Sequence, residues 1–118
     1  MEARATGKYI KGAPQKARLV IDVIRGKSVP EALAYLRFSK KRAAVPIAKV
    51  LNSAVANATS QSAHVDEEEL FVKEASVDIG PTKWRRRLRP APMGRAHRQM
   101  RRQSHITICV SNGKSEEE

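Results

Sequence analysis

The sequence predicts an α+β fold with three helices, a few strands and a long basic arm between the last two strands. In three separate segments, apolar residues recur at the i, i+3, i+4, i+7 spacing of one buried helix face. Two later segments alternate apolar and polar residues, as half-buried strands do. No acidic residue lies between Asp78 and Glu116, and most of that gap is an arginine-rich run.

The N-terminal part is predicted to form a short strand and then a helix. Weak apolar alternation within residues 1–13 indicates the strand. Pro14 suits the first helical position, where a fixed φ and a missing N–H cost little, and Gly26 is placed to end the helix. The predicted buried face of this helix consists of Ala17, Val20, Ile21 and Ile24.

A short second helix and a long third helix are predicted next. Ser28 and Glu31 have the spacing of a capping box, with Ser28 as the N-cap. Ser39 is predicted to cap the third helix, and Pro46 fits only the first turn of that helix. The predicted apolar faces are Val29, Ala32, Leu33 and Leu36 in the second helix and Ala44, Ile47, Leu51, Ala54, Val55 and Ala58 in the third.

Two strands are predicted on either side of the basic run. Between Leu70 and Ile79 the apolar positions change phase after Val72, so a bulge or a change of burial is expected. The predicted face beyond this change consists of Ala75, Val77 and Ile79. The later strand alternates cleanly, with Ile106, Ile108 and Val110 on one face and His105, Thr107 and Cys109 on the other.

The basic arm connects these two strands from Gly80 to Ser104. Pro90–Gly94 is strong turn chemistry near its middle, so we expect the strands to continue outward and to turn there. Ten or eleven residues a side at ~3.3 Å each would reach roughly 35 Å. A two-stranded ribbon is marginal alone, and like charges repel, so we expect this arm to be ordered when phosphates surround it.

Charge points to a nucleic-acid partner. The 118 residues carry a net charge of +11, and arginine suits bidentate recognition of phosphate. Because aromatic residues are only 4% of the chain, recognition of backbone and shape is favoured over base stacking. The residues predicted to contact RNA are Arg4, Lys8, Lys11, Lys16 and Arg18 near the N-terminus and Lys83, Trp84, Arg85, Arg86, Arg87, Arg89, Arg95, His97, Arg98, Arg101 and Arg102 in the arm.

Four features have two interpretations each. Trp84 either stacks on a base or packs at the root of the arm, and its arginine neighbours favour RNA contact. The N-terminal basic group is either an RNA contact or solvated surface, and RNA contact is favoured because the small residues between its cations let the backbone approach phosphate. The basic group Lys40–Arg42 has the same two interpretations. The acidic segment Asp66–Glu69 either holds a cation or basic partner or is a solvated connector, and the connector is favoured.

Enzymatic and metal chemistry have little support in the sequence. The histidines His64, His97 and His105 lack ligand-like spacing, and the single cysteine, Cys109, is interpreted as a packed small hydrophobe. No glycine-rich phosphate loop is present. We therefore expect no catalytic residues, no metal and no cofactor. The absence of a signal core or an apolar span predicts a soluble, cytoplasmic protein without a membrane segment of its own.

Several motifs, in order, resemble the L-twenty-two family of bacterial large-subunit ribosomal proteins. These motifs are Pro14–Val20, Ile24–Lys27, Lys49–Ala58, Gly80-Pro81, Gly94–Ala96 and Ser104–Thr107, and the resemblance extends over residues 2–112. It implies three helices packed on a small antiparallel sheet, with a long protruding β-hairpin arm. It also implies binding to large-subunit ribosomal RNA beside neighbouring ribosomal proteins, and a role in subunit assembly.

The resemblance further implies that the tip of the hairpin lines the nascent-peptide exit tunnel and meets the nascent peptide. The expected tip residues are Arg89, Pro90, Ala91, Pro92, Met93, Gly94 and Arg95. The expected organisation is a body of residues 1–79 and 104–112, a hairpin extension of residues 80–103 and a disordered acidic tail of residues 113–118. The alternative function is that of a free architectural nucleic-acid-binding protein, which sedimentation with the nucleoid would reveal.

Overall fold

The computed structural model describes residues 2–61, 66–80, 86–90, 92–94, 96–100 and 102–112, and these have the predicted α+β architecture. The helices are α1 (Pro14–Ile24), α2 (Val29–Phe38) and α3 (Ala44–Gln61). The strands are β1 (Glu2–Lys11), β2 (Phe71–Ile79), β3 (Arg86–Pro90), β4 (Ala96–Met100) and β5 (Gln103–Ser111). The molecule measures 67 × 26 × 17 Å, and its radius of gyration is 17.6 Å, against about 13.5 Å for a compact chain of this length.

The body is a three-stranded antiparallel sheet with helices on one face. Its strand order is β1-β5-β2, so β5 is central. The helix α3 packs on β1 and β5, α1 packs on β2, and α2 packs against α3. The predicted packing of three helices on a small antiparallel sheet is confirmed.

The predicted helix faces form the core. All four residues predicted for α1 and all six predicted for α3 are buried, and Val50 joins the buried face of α3. In α2, Leu33 is only partly buried, and it packs against the hydrophobic core. The sheet contributes Ala3, Ala5, Val72, Ala75, Val77, Ile106, Ile108 and Val110. Burial of these apolar side chains is the main favourable contribution to the stability of the body.

The predicted boundaries of α1 and the predicted start of α2 after Ser28 agree with the structure, whereas the predicted start of α3 needs correction. Pro14 opens α1, and Gly26 follows it with φ of +82°, a conformation that suits glycine. Ser39 ends α2 and does not cap α3, because the chain is extended there and α3 begins only at Ala44. Pro46 therefore lies in the first turn of α3, where its missing N–H is tolerated.

The predicted capping-box hydrogen bond at Ser28 is wrong. Ser28 occupies the N-cap position of α2, but its side chain makes no capping hydrogen bond. The backbone is held by β2 instead: Ser28 forms a bridge with Phe71, and the N–H of Val29 donates to the carbonyl of Leu70 at 3.0 Å. Pairing with the strand thus fixes the start of this helix.

The predicted phase change in β2 is a β-bulge. The register against β5 shifts between Val72 and Glu74, which lets Val72 and Ala75 both face the core. Val77 continues this face, but Ile79 is 70% exposed, so the predicted face was one residue too long. Ile79 is the last residue of the strand, where the chain leaves the sheet.

Candidate nucleic-acid interface

The arm is a separate two-stranded antiparallel sheet. The strand β3 pairs with β4 in a register that runs from Arg86 opposite Met100 to Pro90 opposite Ala96. The residues between them include a 3₁₀ turn at Pro92–Gly94. The predicted hairpin and the position of its turn are therefore confirmed in the described part of the arm.

The turn of the arm has left-handed backbone at two successive residues. Met93 has φ of +64° and Gly94 has φ of +72°. Glycine adopts this region freely, whereas methionine does so at a cost of roughly 1–2 kcal/mol. Met93 is 96% exposed, so its side chain makes little contact with the rest of the hairpin.

The predicted arm cations are distributed over both strands. Arg86, Arg87 and Arg89 lie in β3, whereas His97 and Arg98 lie in β4. Arg102 is exposed at the border of the body, where its carbonyl accepts the N–H of Gly12 at 3.1 Å. The predictions on Lys83, Trp84, Arg85, Ala91, Arg95 and Arg101 lie outside the described residues.

The predicted N-terminal cations divide into two groups. Lys8, Lys11 and Lys16 are exposed on β1 and the first turns of α1. Arg4 forms an ion pair with Glu74 at 3.6 Å across the sheet, and Arg18 donates from Nη2 to the carbonyl of Val77 at 3.1 Å. RNA contact stays a prediction for all five, and two of them have contacts within the body as well.

Arg18 and Arg25 cap the outer edge of β2. Arg25 donates from Nε and Nη2 to the carbonyl of Ala75, at 3.3 and 2.8 Å, and pairs through Nη1 with Asp22 at 2.9 Å. An uncovered strand edge is a template for unwanted pairing, and these guanidinium groups occupy its carbonyls. This role was not predicted from the sequence, although a spacing of seven residues places both arginines on one side of α1.

A cleft joins basic residues that are distant in the sequence. It lies between the end of β1, the start of α1 and the segment that leads into α3, and its volume is about 720 Å³. Its charged lining residues are Lys11, Lys16, Lys41 and Arg42, and none of the described lining residues is acidic. Lys41 and Arg42 of the basic group Lys40–Arg42 thus share a site with Lys11 and Lys16 of the N-terminal group.

A β-bulge in β1 shapes one wall of this cleft. The register against β5 shifts between Gly7 and Ile10, which places Ile10 opposite Ser104 and among the lining residues. Tyr9, with φ of +58°, donates its N–H to Nδ1 of His105 at 3.0 Å. The two rings meet edge to face, with 5.1 Å between their centroids. Nothing in the weak alternation of residues 1–13 predicted this bulge.

The sheet face away from the helices has ion pairs of its own. Besides Arg4 and Glu74, the Lys73 ammonium pairs with the Glu2 carboxylate. The hydrogen bond from Lys73, with its charge, holds the pKa of Glu2 below its ordinary value, and the same contact raises the pKa of Lys73. Cys109 is buried on this face, as expected for a packed small hydrophobe.

The described residues contain no cluster of histidine, cysteine or carboxylate side chains that could hold a metal ion. The acidic segment forms a 3₁₀ turn, Glu67–Glu69, in which the Asp66 carboxylate accepts the N–H of Glu68 at 3.0 Å. Within the same described ranges, no helix is long and apolar enough to cross a membrane. The described surface does carry cationic side chains, which are suited to binding a polyanion.

The α+β body, the basic hairpin and the cationic cleft are features of a nucleic-acid-binding structural protein. Comparison with known proteins identifies the family: residues 5–111 match ribosomal protein L22p/L17e, and the chain belongs to this family. It is a family of ribosomal components and not of enzymes. The resemblance noted from the sequence motifs is thereby confirmed.

Individual relatives match over nearly their whole length. The chain is 51% identical over 111 residues to large ribosomal subunit protein uL22 of Solibacter usitatus, covering 94% of this chain and 96% of the relative. It is 52% identical over 110 residues to the protein of the same name from Desulfotalea psychrophila, covering 93% and 97%. A third such protein, from Syntrophus aciditrophicus, is 52% identical over 112 residues.

Proposed function

We propose that this chain is a structural constituent of the large ribosomal subunit, where it binds large-subunit ribosomal RNA, supports subunit assembly and works in the cytoplasm. The observation that carries this proposal is the family match over residues 5–111, together with near-complete coverage of relatives named as large-subunit proteins. The net charge of +11 supplies the physical basis for binding RNA.

The arm is the principal RNA-binding element in this proposal. A two-stranded ribbon is marginal alone in water, so phosphates that surround its arginines would supply most of its stabilisation. The body of residues 1–79 and 104–112 positions the hairpin of residues 80–103, and the cations predicted from the sequence contact the RNA backbone. The acidic tail predicted for residues 113–118 lies outside the described residues.

The tip of the hairpin is proposed to line the exit tunnel and to meet the nascent peptide. The turn at Pro92–Gly94 carries no charge, while Arg89 and Arg95 flank it. The exposed Met93 side chain suits contact with passing peptides, because methionine is unbranched and adapts to irregular surfaces. The arginine flanks remain available for phosphates.

Sedimentation tests the assembly role directly. The tagged full-length chain should remain with large ribosomal subunits after a high-salt wash. If it sediments with the nucleoid instead, the chain is a free architectural nucleic-acid-binding protein. Binding to large-subunit RNA should also weaken steeply from about 50 to 300 mM salt, since each phosphate contact contributes a slope of roughly −0.7 to −0.9.

Variants separate the tip from its flanks. Replacing Pro92 and Met93 with bulky residues should leave subunit assembly intact but change peptide-dependent stalling. The matched change in the flanks, Arg86→Ala with Arg101→Ala, should weaken RNA binding and reduce the salt slope by about 1.5. If the tip variants are incorporated poorly into subunits, but the subunits that do contain them translate normally, the tip is an RNA anchor and the tunnel role is refuted.

A further inference from the structure

The cleft between β1, α1 and α3 has apolar walls and a cationic rim. Its apolar lining includes Ile10, Ala17, Leu19, Pro46 and Ile106. Leu19 is 55% exposed although it lies on a well-packed helix, so a large apolar side chain is left uncovered at this site. The volume of about 720 Å³ falls within the range of pockets that hold small organic groups, roughly 300–1,000 Å³.

The charges around the cleft define the occupant further. Lys11, Lys16, Lys41 and Arg42 all line it, and no described lining residue balances them. A wholly apolar partner would leave these cations without a counter-charge, whereas duplex RNA alone would leave the apolar walls uncovered. A single unpaired nucleotide satisfies both, because its base presents apolar faces and the phosphates on either side of it are anionic.

We infer that this cleft binds one extruded nucleotide of ribosomal RNA, with the base against Leu19 and Pro46 and the flanking phosphates on the lysine and arginine side chains. The inference rests on the proposed function and adds a base-contacting site that the scarcity of aromatic residues did not suggest.

The β1 bulge is part of this site. If the register of Glu2–Gly7 continued unshifted, Ile10 would lie opposite Gln103, on the other face of the sheet. The hydrogen bond from the N–H of Tyr9 to His105 holds the bulge in place. The positive φ of Tyr9 is an unusual conformation for a bulky residue, and it is retained where it turns an apolar side chain into the cleft.

Two matched pairs of variants test the site in the full-length chain. The first pair is Leu19→Gln in the cleft and Val45→Gln outside it, at positions that are 55% and 61% exposed. The second pair consists of two double variants, Lys41→Gln with Arg42→Gln in the cleft and Arg37→Gln with Lys49→Gln outside it. Each double variant removes two positive charges. All four positions of the second pair are exposed, and a thermal melt confirms folding of each variant.

The probe is bacterial large-subunit ribosomal RNA transcribed in vitro, with base reactivity and hydroxyl-radical cleavage mapped at single-nucleotide resolution. The wild-type chain should protect one unpaired base, and Leu19→Gln should restore its reactivity and weaken binding about fivefold or more. The Lys41 and Arg42 double variant should lose protection of the adjacent backbone and reduce the salt slope by about 1.5. Both control variants should give the wild-type pattern.

The outcomes separate this inference from the proposed function. If the wild-type chain gives no specific footprint, the proposed RNA-binding function fails. If the footprint is present and both cleft variants leave it unchanged, the extruded-nucleotide site is wrong while the function stands. If the cleft variants leave the footprint unchanged but are incorporated poorly when other ribosomal proteins are present, the cleft binds a protein partner. That outcome also overturns the inference.

Discussion

Gly7 is the position where the structure predicts the sharpest effect of a single methyl group. A Cβ added there would lie 2.7 Å from Cγ2 of Val50 and 2.8 Å from Cδ1 of Ile10. Ordinary carbon contacts are about 3.5–4.0 Å, so both distances are too short by roughly 0.7 Å or more. Gly7 therefore allows α3 to pack closely on β1, and Gly7→Ala should overpack this contact.

The magnitude follows from two opposing contributions. Replacing glycine with alanine in a strand interior would otherwise stabilise the fold by roughly 0.5–1 kcal/mol. Overpacking a well-packed core costs about 1–3 kcal/mol, and the β-branched Val50 side chain, 6% exposed, has little freedom to move away. We expect Gly7→Ala to lower the free energy of unfolding by about 1–2 kcal/mol.

Urea unfolding of the full-length chain, followed by circular dichroism, measures this effect. With a slope of about 1–3 kcal/mol per molar urea, the midpoint should fall by roughly 0.5–1 M. The variant Gly7→Ala with Val50→Ala should be more stable than the sum of the two single changes predicts, by about 1 kcal/mol, because the new methyl group fills the vacated space. Stability of Gly7→Ala equal to or above the wild type would refute the close approach.

Two further predictions concern the edges and the outer face of the sheet. Arg25→Gln should lower the free energy of unfolding by about 1.5–3 kcal/mol in the same urea assay, because it removes two charge-assisted donors from the carbonyl of Ala75; an unchanged midpoint would show that the edge cap is dispensable. Lys73→Gln should destabilise the chain slightly at neutral pH. Because the pKa of Glu2 is lowered in the folded chain, the ion pair contributes above the ordinary glutamate pKa of about 4.3 and is lost as the pH falls through the lower folded value. The urea midpoints of Lys73→Gln and the wild type should therefore converge in acid, and a constant difference down to pH 2 would contradict this assignment.

Much of the fold could be predicted from the sequence because its signals are local. The α1 and α3 stripes follow helical periodicity, which a helix imposes on any chain that buries one face. The phase change after Val72 marked a bulge for the same reason, since strand side chains alternate strictly. The uncharged turn between arginine-rich flanks likewise specified a hairpin and its tip.

The local signals failed where a longer-range contact competes with them. Ser28 is the N-cap of α2 as predicted, but pairing with β2 and not a side-chain hydrogen bond holds the backbone there, and an extended segment separates Ser39 from α3. Capping is worth only about 1 kcal/mol, so tertiary contacts readily override it. The close approach at Gly7 was also invisible in the sequence, since Val50 lies more than 40 residues away along the chain.

The sequence by itself determined the α+β class, the helical faces, the basic arm and the family, because composition, periodicity and motif order require no knowledge of the packing. The tertiary structure alone decided that Arg18 and Arg25 cap the edge of β2 and that Lys41 and Arg42 share a cleft with Lys11 and Lys16. These groupings depend on how α1 and α3 sit on the sheet and on the register of the bulged β1. Which remote residues meet depends on how the elements pack, and the local periodicity of the chain does not specify it.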